Sequence, residues 1–211
     1  MRDGLLYVLS EPGAVPGPEF HDWYDNEHAP ARMAFDQVRA GWRYVASDGR
    51  RPSWLAVYTL DLALLDTPAY RSLRSDRSDR ERDVMSRLDT LDRRVYERLP
   101  HPATDPGRDP AAGAPLLIAV AMTSTDDAAL DDWYEREHIP ALSQVPGWRH
   151  TTRYRLVTGD APTLLALHAV DGPEAFDTPE YRRATNTPWR SRVMATVTHR
   201  DRRLFTPHRR L

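Results

Sequence analysis

The sequence predicts an α+β protein made of two tandem ferredoxin-like βαββαβ units that pack sheet to sheet. Three observations carry this reading. The chain repeats itself at an offset near 110 residues, a stretch rich in Pro, Ala and Gly separates the copies, and strand and helix signals follow one order in both. The repeat is plainest where Asp22-Trp23-Tyr24-Asp25-Asn26-Glu27-His28-Ala29-Pro30-Ala31 recurs as Asp132-Trp133-Tyr134-Glu135-Arg136-Glu137-His138-Ile139-Pro140-Ala141. Gly41-Trp42-Arg43 then pairs with Gly147-Trp148-Arg149, Asp66-Thr67-Pro68 with Asp177-Thr178-Pro179, and Arg93-Arg94-Val95-Tyr96 with Arg202-Arg203-Leu204-Phe205. Internal repeats of this length indicate duplicated structural units. The intervening residues 100–115 have no hydrophobic period and read as an extended linker between units 1–99 and 116–211.

Each element has a local cause. Leu5 to Leu9 and Leu116 to Met122 are short apolar runs, hence first strands. The Trp-Tyr segments place apolar residues at three- and four-residue spacing and carry Pro30 or Pro140 near their ends, hence helices. Gly41 to Ala46 and Gly147 to Val157 read as second strands, and Trp54 to Leu60 and Leu164 to Val170 as third strands rich in β-formers. Asp66-Thr67-Pro68 and Asp177-Thr178-Pro179 combine a capping side chain with a first-turn proline, which starts a second helix in each unit. In the first unit this helix is expected over Tyr70 to Leu91, with its mixed charges facing solvent. Short fourth strands close the units near Val95 and Leu204. This is the split βαβ order, with both helices on one sheet face. The other face must be covered, so the two sheets are expected to meet face to face. A chain that carries both halves is competent as a monomer, with a homodimer possible.

Trp-Tyr-x-x-Glu-His-x-Pro followed by Pro-Gly-Trp, as at Trp133 to Pro140 and Pro146 to Trp148, resembles the EthD-like branch of the dimeric α+β barrel superfamily. The first copy departs from the pattern: Ala40-Gly41-Trp42 replaces Pro-Gly-Trp, and the gap from His28 to Gly41 is four residues longer than from His138 to Gly147. The resemblance spans the whole chain as two fused units and implies an intramolecular dimeric α+β barrel. Members include cofactor-free isomerases, polyketide cyclases, cofactor-independent monooxygenases and haem-using enzymes. Muconolactone-type isomerases place polar groups, including a histidine of the first helix, in a cavity between helix and sheet. His28 and His138 stand at that place in the motif.

Composition excludes several chemistries. The chain has no Cys, which removes disulfides, thiolate nucleophiles and Cys-ligated zinc. It also has no Lys, so all 29 basic residues are Arg, and Schiff-base chemistry and a Walker-type phosphate loop are excluded. A net charge of −2 gives no electrostatic footprint for nucleic acid. No apolar run approaches the length needed to span a bilayer, and Met1 to Leu5 lacks a signal-peptide pattern, so a cytoplasmic location is expected. His28, His138, His150 and His168 with Glu27 or Glu137 have no diagnostic metal spacing, and no Gly-x-Gly-x-x-Gly turn follows a strand. No metal and no cofactor are therefore expected.

The candidate site follows from helix and strand periodicity. At about 100° per residue, Phe20, Trp23, Tyr24, Glu27, His28 and Ala31 share one stripe, as do Leu130, Trp133, Tyr134, Glu137, His138 and Ala141. A buried carboxylate needs partners; for Glu27 and Glu137 a structural role is favoured. Imidazole suits proton transfer near neutral pH, so His138, His28 and His168 are the candidate catalytic residues. On the third strands, Ala56, Tyr58 and Leu60 alternate with Leu55, Val57 and Thr59, and Ala166, His168 and Val170 alternate with Leu165, Leu167 and Ala169. The Tyr58 and His168 faces are expected to line a cavity between the sheets, with the other faces under the helices. Tyr24, Tyr134, Tyr58, Trp42 and Trp148 would shape that cavity, and Arg43 and Arg149 would select an anionic or enolate substrate.

These residues point to a cofactor-independent enzyme acting by proton transfer on a small apolar, aromatic or polyketide-like metabolite, as an isomerase, dehydratase, cyclase or related lyase. A cofactor-independent monooxygenase of a phenol or anthrone is the alternative enzyme reading. A non-catalytic binder of a hydrophobic metabolite is the alternative from another class.

Overall fold

The computed structural model describes residues 2–100 and 114–211, so most of the expected linker lies outside the described residues. Two compact units emerge. One comprises Met1–Arg98 with Val157–Gly159 and His208–Leu211; the other comprises Leu99–Leu156 with Asp160–Pro207.

In the first unit, β1 (Asp3–Glu11) leads into α1 (Gly17–Trp23), a π-turn (Tyr24–His28) and α2 (Ala29–Met33). Then come β2 (Val38–Ala46), β3 (Trp54–Asp61), a 3₁₀ turn (Leu62–Asp66), α3 (Pro68–Ser75), α4 (Asp79–Arg87) and β4 (Thr90–Arg98). Antiparallel pairing gives the order β4-β1-β3-β2. The second unit runs β5 (Leu116–Ser124), α5 (Asp127–Trp133), a π-turn (Tyr134–His138), α6 (Ile139–Leu142), β6 (Trp148–Thr158) and β7 (Leu164–Val170). A 3₁₀ turn (Pro173–Asp177), α7 (Pro179–Thr185), α8 (Pro188–Met194) and β8 (Val197–Arg210) complete it. Its pairing gives β8-β5-β7-β6, also antiparallel. Among the described residues, no helix is long and apolar enough to cross a membrane.

The second helix of each unit starts as its sequence dictates: Thr67 and Thr178 cap through their hydroxyls, with Pro68 and Pro179 in the first turn. The single helix expected over Tyr70 to Leu91 is two. Asp76 leaves helical geometry, and the Ser78 hydroxyl accepts the Glu81 N–H to start α4 afresh. A polar side chain that bonds its own backbone competes with helix continuation.

The pleat assignment of the third strands requires correction. Ala56, Tyr58 and Leu60 pack with Phe20, Trp23 and Tyr24, so they face the helices. Ala166 and Val170 pack with Leu130 and Trp133 in the same way, and His168 shares their face. Leu55, Val57, Leu165 and Leu167 occupy the opposite face. The reason is that every residue of β7, and Leu55 to Tyr58 of β3, is buried. A strand buried on both faces has no polar side to reveal its orientation.

Candidate active site

Both Trp-Tyr helices contain a π-turn where the motif lies. Ala29 N–H donates to Tyr24 O, five residues back, and Ile139 N–H does the same to Tyr134 O. The next residue is Pro30 or Pro140, which has no N–H and whose ring would strike the carbonyl four residues earlier. Widening the turn by one residue moves that carbonyl aside. Such π-turns also re-aim side chains within a helix. Here His28 and His138 are buried, while Glu27 and Glu137 sit at the edge of the stripe expected to include them.

The two glutamates have the structural role expected of them. Glu27 accepts from the Ser78 hydroxyl, which caps α4. Glu137 Oε2 accepts from Thr187 Oγ1 at 2.6 Å and from Trp133 Nε1 at 2.8 Å, and Thr187 caps α8 by accepting Arg190 N–H at 3.0 Å. In each unit the motif glutamate thus holds the start of the last helix. Three residues after each cap comes Glu81 or Arg190.

That position separates the units. In the first, Glu81 Oε1 lies 2.8 Å from His28 Nδ1, with both side chains buried. Because a carboxylate only accepts, the His28 Nδ1 carries the proton. Burial outweighs Glu81 and pushes the imidazole down to about 4. The Tyr58 hydroxyl, expected in an inter-sheet cavity, instead donates to Tyr24 Oη at 3.2 Å under the helices. Burial raises both phenols.

In the second unit a cavity of about 100 Å³ lies between the sheet and the helices. Ile118, Val120, Met122 and Leu142 form apolar wall, and Trp133, Tyr134, Trp148 and Tyr181 supply rings. His138 and His168 line it together, with Arg190, Arg200 and Arg202. The location corrects the expected one: this cavity lies on the helix side of a single sheet. Its volume approaches the ~150 Å³ of a benzene-sized void and falls below the ~300–1,000 Å³ of pockets for drug-sized ligands. It therefore suits one ring better than a fused polycycle or a porphyrin.

The histidines are held in defined states. His138 Nδ1 donates to Ala184 O at 3.3 Å, because a carbonyl can only accept, and its ring stacks on Trp133 at 4.2 Å. Nε2 is then the lone-pair nitrogen. Burial first, then Arg190 and Arg200, push this imidazole down to about 3. Thr151 Oγ1 accepts from Trp148 Nε1 at 3.1 Å and lies 2.9 Å from His168 Nδ1. Thr151 also has a hydroxyl proton to give; directed at Nδ1, it would leave His168 with its own proton on Nε2. Burial lowers His168 well below the ordinary range. The site thus offers two imidazoles that burial keeps neutral. Burial raises Tyr134 to about 12, which keeps it a phenol.

Trp148 lies in the cavity, its ring 5.2 Å from His168. Trp42 does not share the His28 face. It pairs with Val57 on the opposite pleat and lies 5.8 Å from the Arg210 guanidinium carbon. Arg43 points under the helices, where it bonds Asp25 at 2.7 Å and stacks 4.3 Å from the Tyr24 ring centre. Arg149 is exposed and bound to Asp171 at 2.5 Å, outside the cavity lining. The counterpart of Arg43 is Arg153: each pairs across its sheet with Ala56 or Ala166. Arg153 bonds Asp131 at 2.6 Å and Glu135 at 2.9 Å. The shared Gly-Trp-Arg spelling misaligns the strands. Gly147 precedes β6 with φ +79°, whereas Gly41 lies inside β2.

Sequence reasoning missed Glu81, Arg190 and Arg200. A signal for the first two was present in Ser78-x-x-Glu81 and Thr187-x-x-Arg190, which mark helix starts and the residue one turn on. Among the described residues, no group of three His, Cys, Asp or Glu is placed to hold a metal ion.

No family model matches the chain, and no curated protein matches it in sequence. Solved structures do. An anthrone oxidase-like protein matches with a TM-score of 0.63 at 14% identity, covering 100% of this chain and 92% of its own. A proposed monooxygenase from Lactobacillus acidophilus NCFM matches at 0.56 and 11% identity, over 100% and 96%. A chlorite dismutase from Candidatus Nitrospira defluvii matches at 0.58 and 12% identity, over 98% and 91%. The chain has the dimeric α+β barrel fold. At these identities the likeness is one of fold alone.

Proposed function

We propose that the protein is a cofactor-independent enzyme that takes a proton from a small aromatic metabolite bound in the helix–sheet cavity of the second unit. The observation that carries this is the pairing of His138 and His168 in one mostly apolar cavity, each with Nδ1 engaged elsewhere. His138 Nε2 is the base, and His168 Nε2–H and the Tyr134 hydroxyl are the donors to the developing oxyanion. Proton return at another carbon gives isomerisation; loss of a hydroxyl from the neighbouring carbon, protonated as it leaves, gives dehydration; attack of the carbanion on a carbonyl carbon of the same molecule, with the proton returned to that oxygen, gives cyclisation.

A second reading draws on the names of the neighbours, an anthrone oxidase-like protein and proposed monooxygenases. There the carbanion left by His138 would pass electrons to O2 and form a C–O bond. Protonation gives a hydroperoxide, and loss of water from it gives the ketone, with no external reductant.

The shared strand order and the repeated motif support reading the units as ferredoxin-like halves of a tandem duplication within the EthD-like branch, competent as a monomer. The test of function is a panel of single-ring phenols and enolisable arenes, assayed in air and under anaerobic conditions. Turnover in both supports proton transfer, turnover only in air supports oxygenation, and binding without turnover in either refutes an enzyme.

A further inference from the structure

The cavity of the second unit carries charge of one sign. Arg190, Arg200 and Arg202 line it, and no carboxylate does. Arg202 stacks over the Phe176 ring at 4.9 Å. Among the described residues, Arg190 and Arg200 have no carboxylate partner, whereas Arg153, Arg155 and Arg183 of the same unit do. They are also placed with care. Arg190 stands on the first turn of α8, held through Thr187 by Glu137, and Arg200 projects from β8 opposite Met122 of the cavity wall. The matched helix position in the first unit is Glu81, which bonds His28 instead. Arg190 is half-buried and Arg200 exposed, so the cationic end faces solvent and the apolar end is deep.

We infer that the second-unit cavity selects a planar, single-ring carboxylate, its anionic group held by Arg190 and Arg200 and its ring against Ile118, Val120 and Trp148. This rests on the proposed function for its site and adds the substrate class. Guanidinium groups bind carboxylates through charge-assisted hydrogen bonds, which are stronger than neutral ones. A bound carboxylate would also offset the two positive charges that depress His138, so binding makes the base stronger where the substrate sits.

The test uses the full chain, with benzoate and its neutral isostere benzamide as probes, by calorimetry and by the fluorescence of Trp133 and Trp148. Wild type should bind benzoate at least about tenfold more tightly than benzamide. Arg190→Gln/Arg200→Gln should abolish that preference, and Arg190→Lys/Arg200→Lys should retain part of it. Equal binding of the two probes, with both lost in the cavity-filling Val120→Trp, overturns the anion assignment and leaves the aromatic cavity standing. A benzoate preference that survives in the double glutamine variant also overturns it. Binding of neither probe overturns the assignment and the cavity reading together.

Discussion

Acidification should unfold this protein through its buried histidines before its carboxylates protonate. His138 is depressed to about 3 in the folded state against an ordinary value of 6.5. Its folded value is the lower one, so the unfolded chain binds the proton more readily. Stability is complete above the unfolded value and is lost as pH falls from 6.5 toward 3. At about pH 5 the unfolded imidazole is almost wholly protonated and the folded one almost wholly neutral, a loss of about 2 kcal/mol for this residue. His28, depressed to about 4, adds a similar amount, and His168 acts in the same direction. The first two alone remove roughly 4 kcal/mol, set against roughly 5–15 kcal/mol for a whole domain. Glu11 and Glu81 lie below their ordinary 4.5 and contribute only in more acidic solution. The assay is urea unfolding followed by tryptophan fluorescence between about pH 7.5 and pH 5. His138→Asn keeps a donor for Ala184 O and cannot ionise, so it should lose about 2 kcal/mol less than wild type over this range. Equal losses in wild type and variant would refute the reasoning.

Thr187→Val removes the cap of α8 and the Glu137 contact, and should lower stability by about 1–2 kcal/mol, read from the urea midpoint. Arg43→Met leaves Asp25 with only its exposed partner Arg209 and should cost about 2–4 kcal/mol in the same assay. Light scattering at low concentration should report a 24.2 kDa monomer, and an obligate dimer would contradict monomer competence.

Much of the fold was legible because its signals are local. Leu164 to Val170 forms a strand with the bounds its composition implies, and Thr67 and Thr178 start helices where their prolines place them. The site was legible in its histidines and less so in their surroundings. The helical wheel assumed regular 3.6-residue turns, whereas the proline after the motif widens one turn and moves Glu27 and Glu137 aside. Strand alternation put the Tyr58 and His168 faces between the sheets when they lie under the helices, because β7 throughout and β3 from Leu55 to Tyr58 are buried on both faces. Both second strands carry a bulge at the matching place, between Val38 and Ala40 and between Trp148 and His150, so the strands align at an offset of 110; the Gly-Trp-Arg spelling comes four residues sooner after the second motif helix, which put Arg149 where Arg153 belongs. Glu81 and Arg190 reach the histidines from some 50 residues away, a proximity no local pattern encodes.

The most direct test of the account is kcat for His138→Ala and His28→Ala on a substrate turned over by wild type. A positioned base supplies about 10²–10⁴-fold. His138→Ala should lose that factor while remaining folded. His28→Ala should stay within a few-fold, because His28 is engaged with Glu81 in the other unit, and exposed His199→Ala should match wild type. Full activity in His138→Ala, or an equal loss in His28→Ala, would contradict a catalytic site in the second-unit cavity.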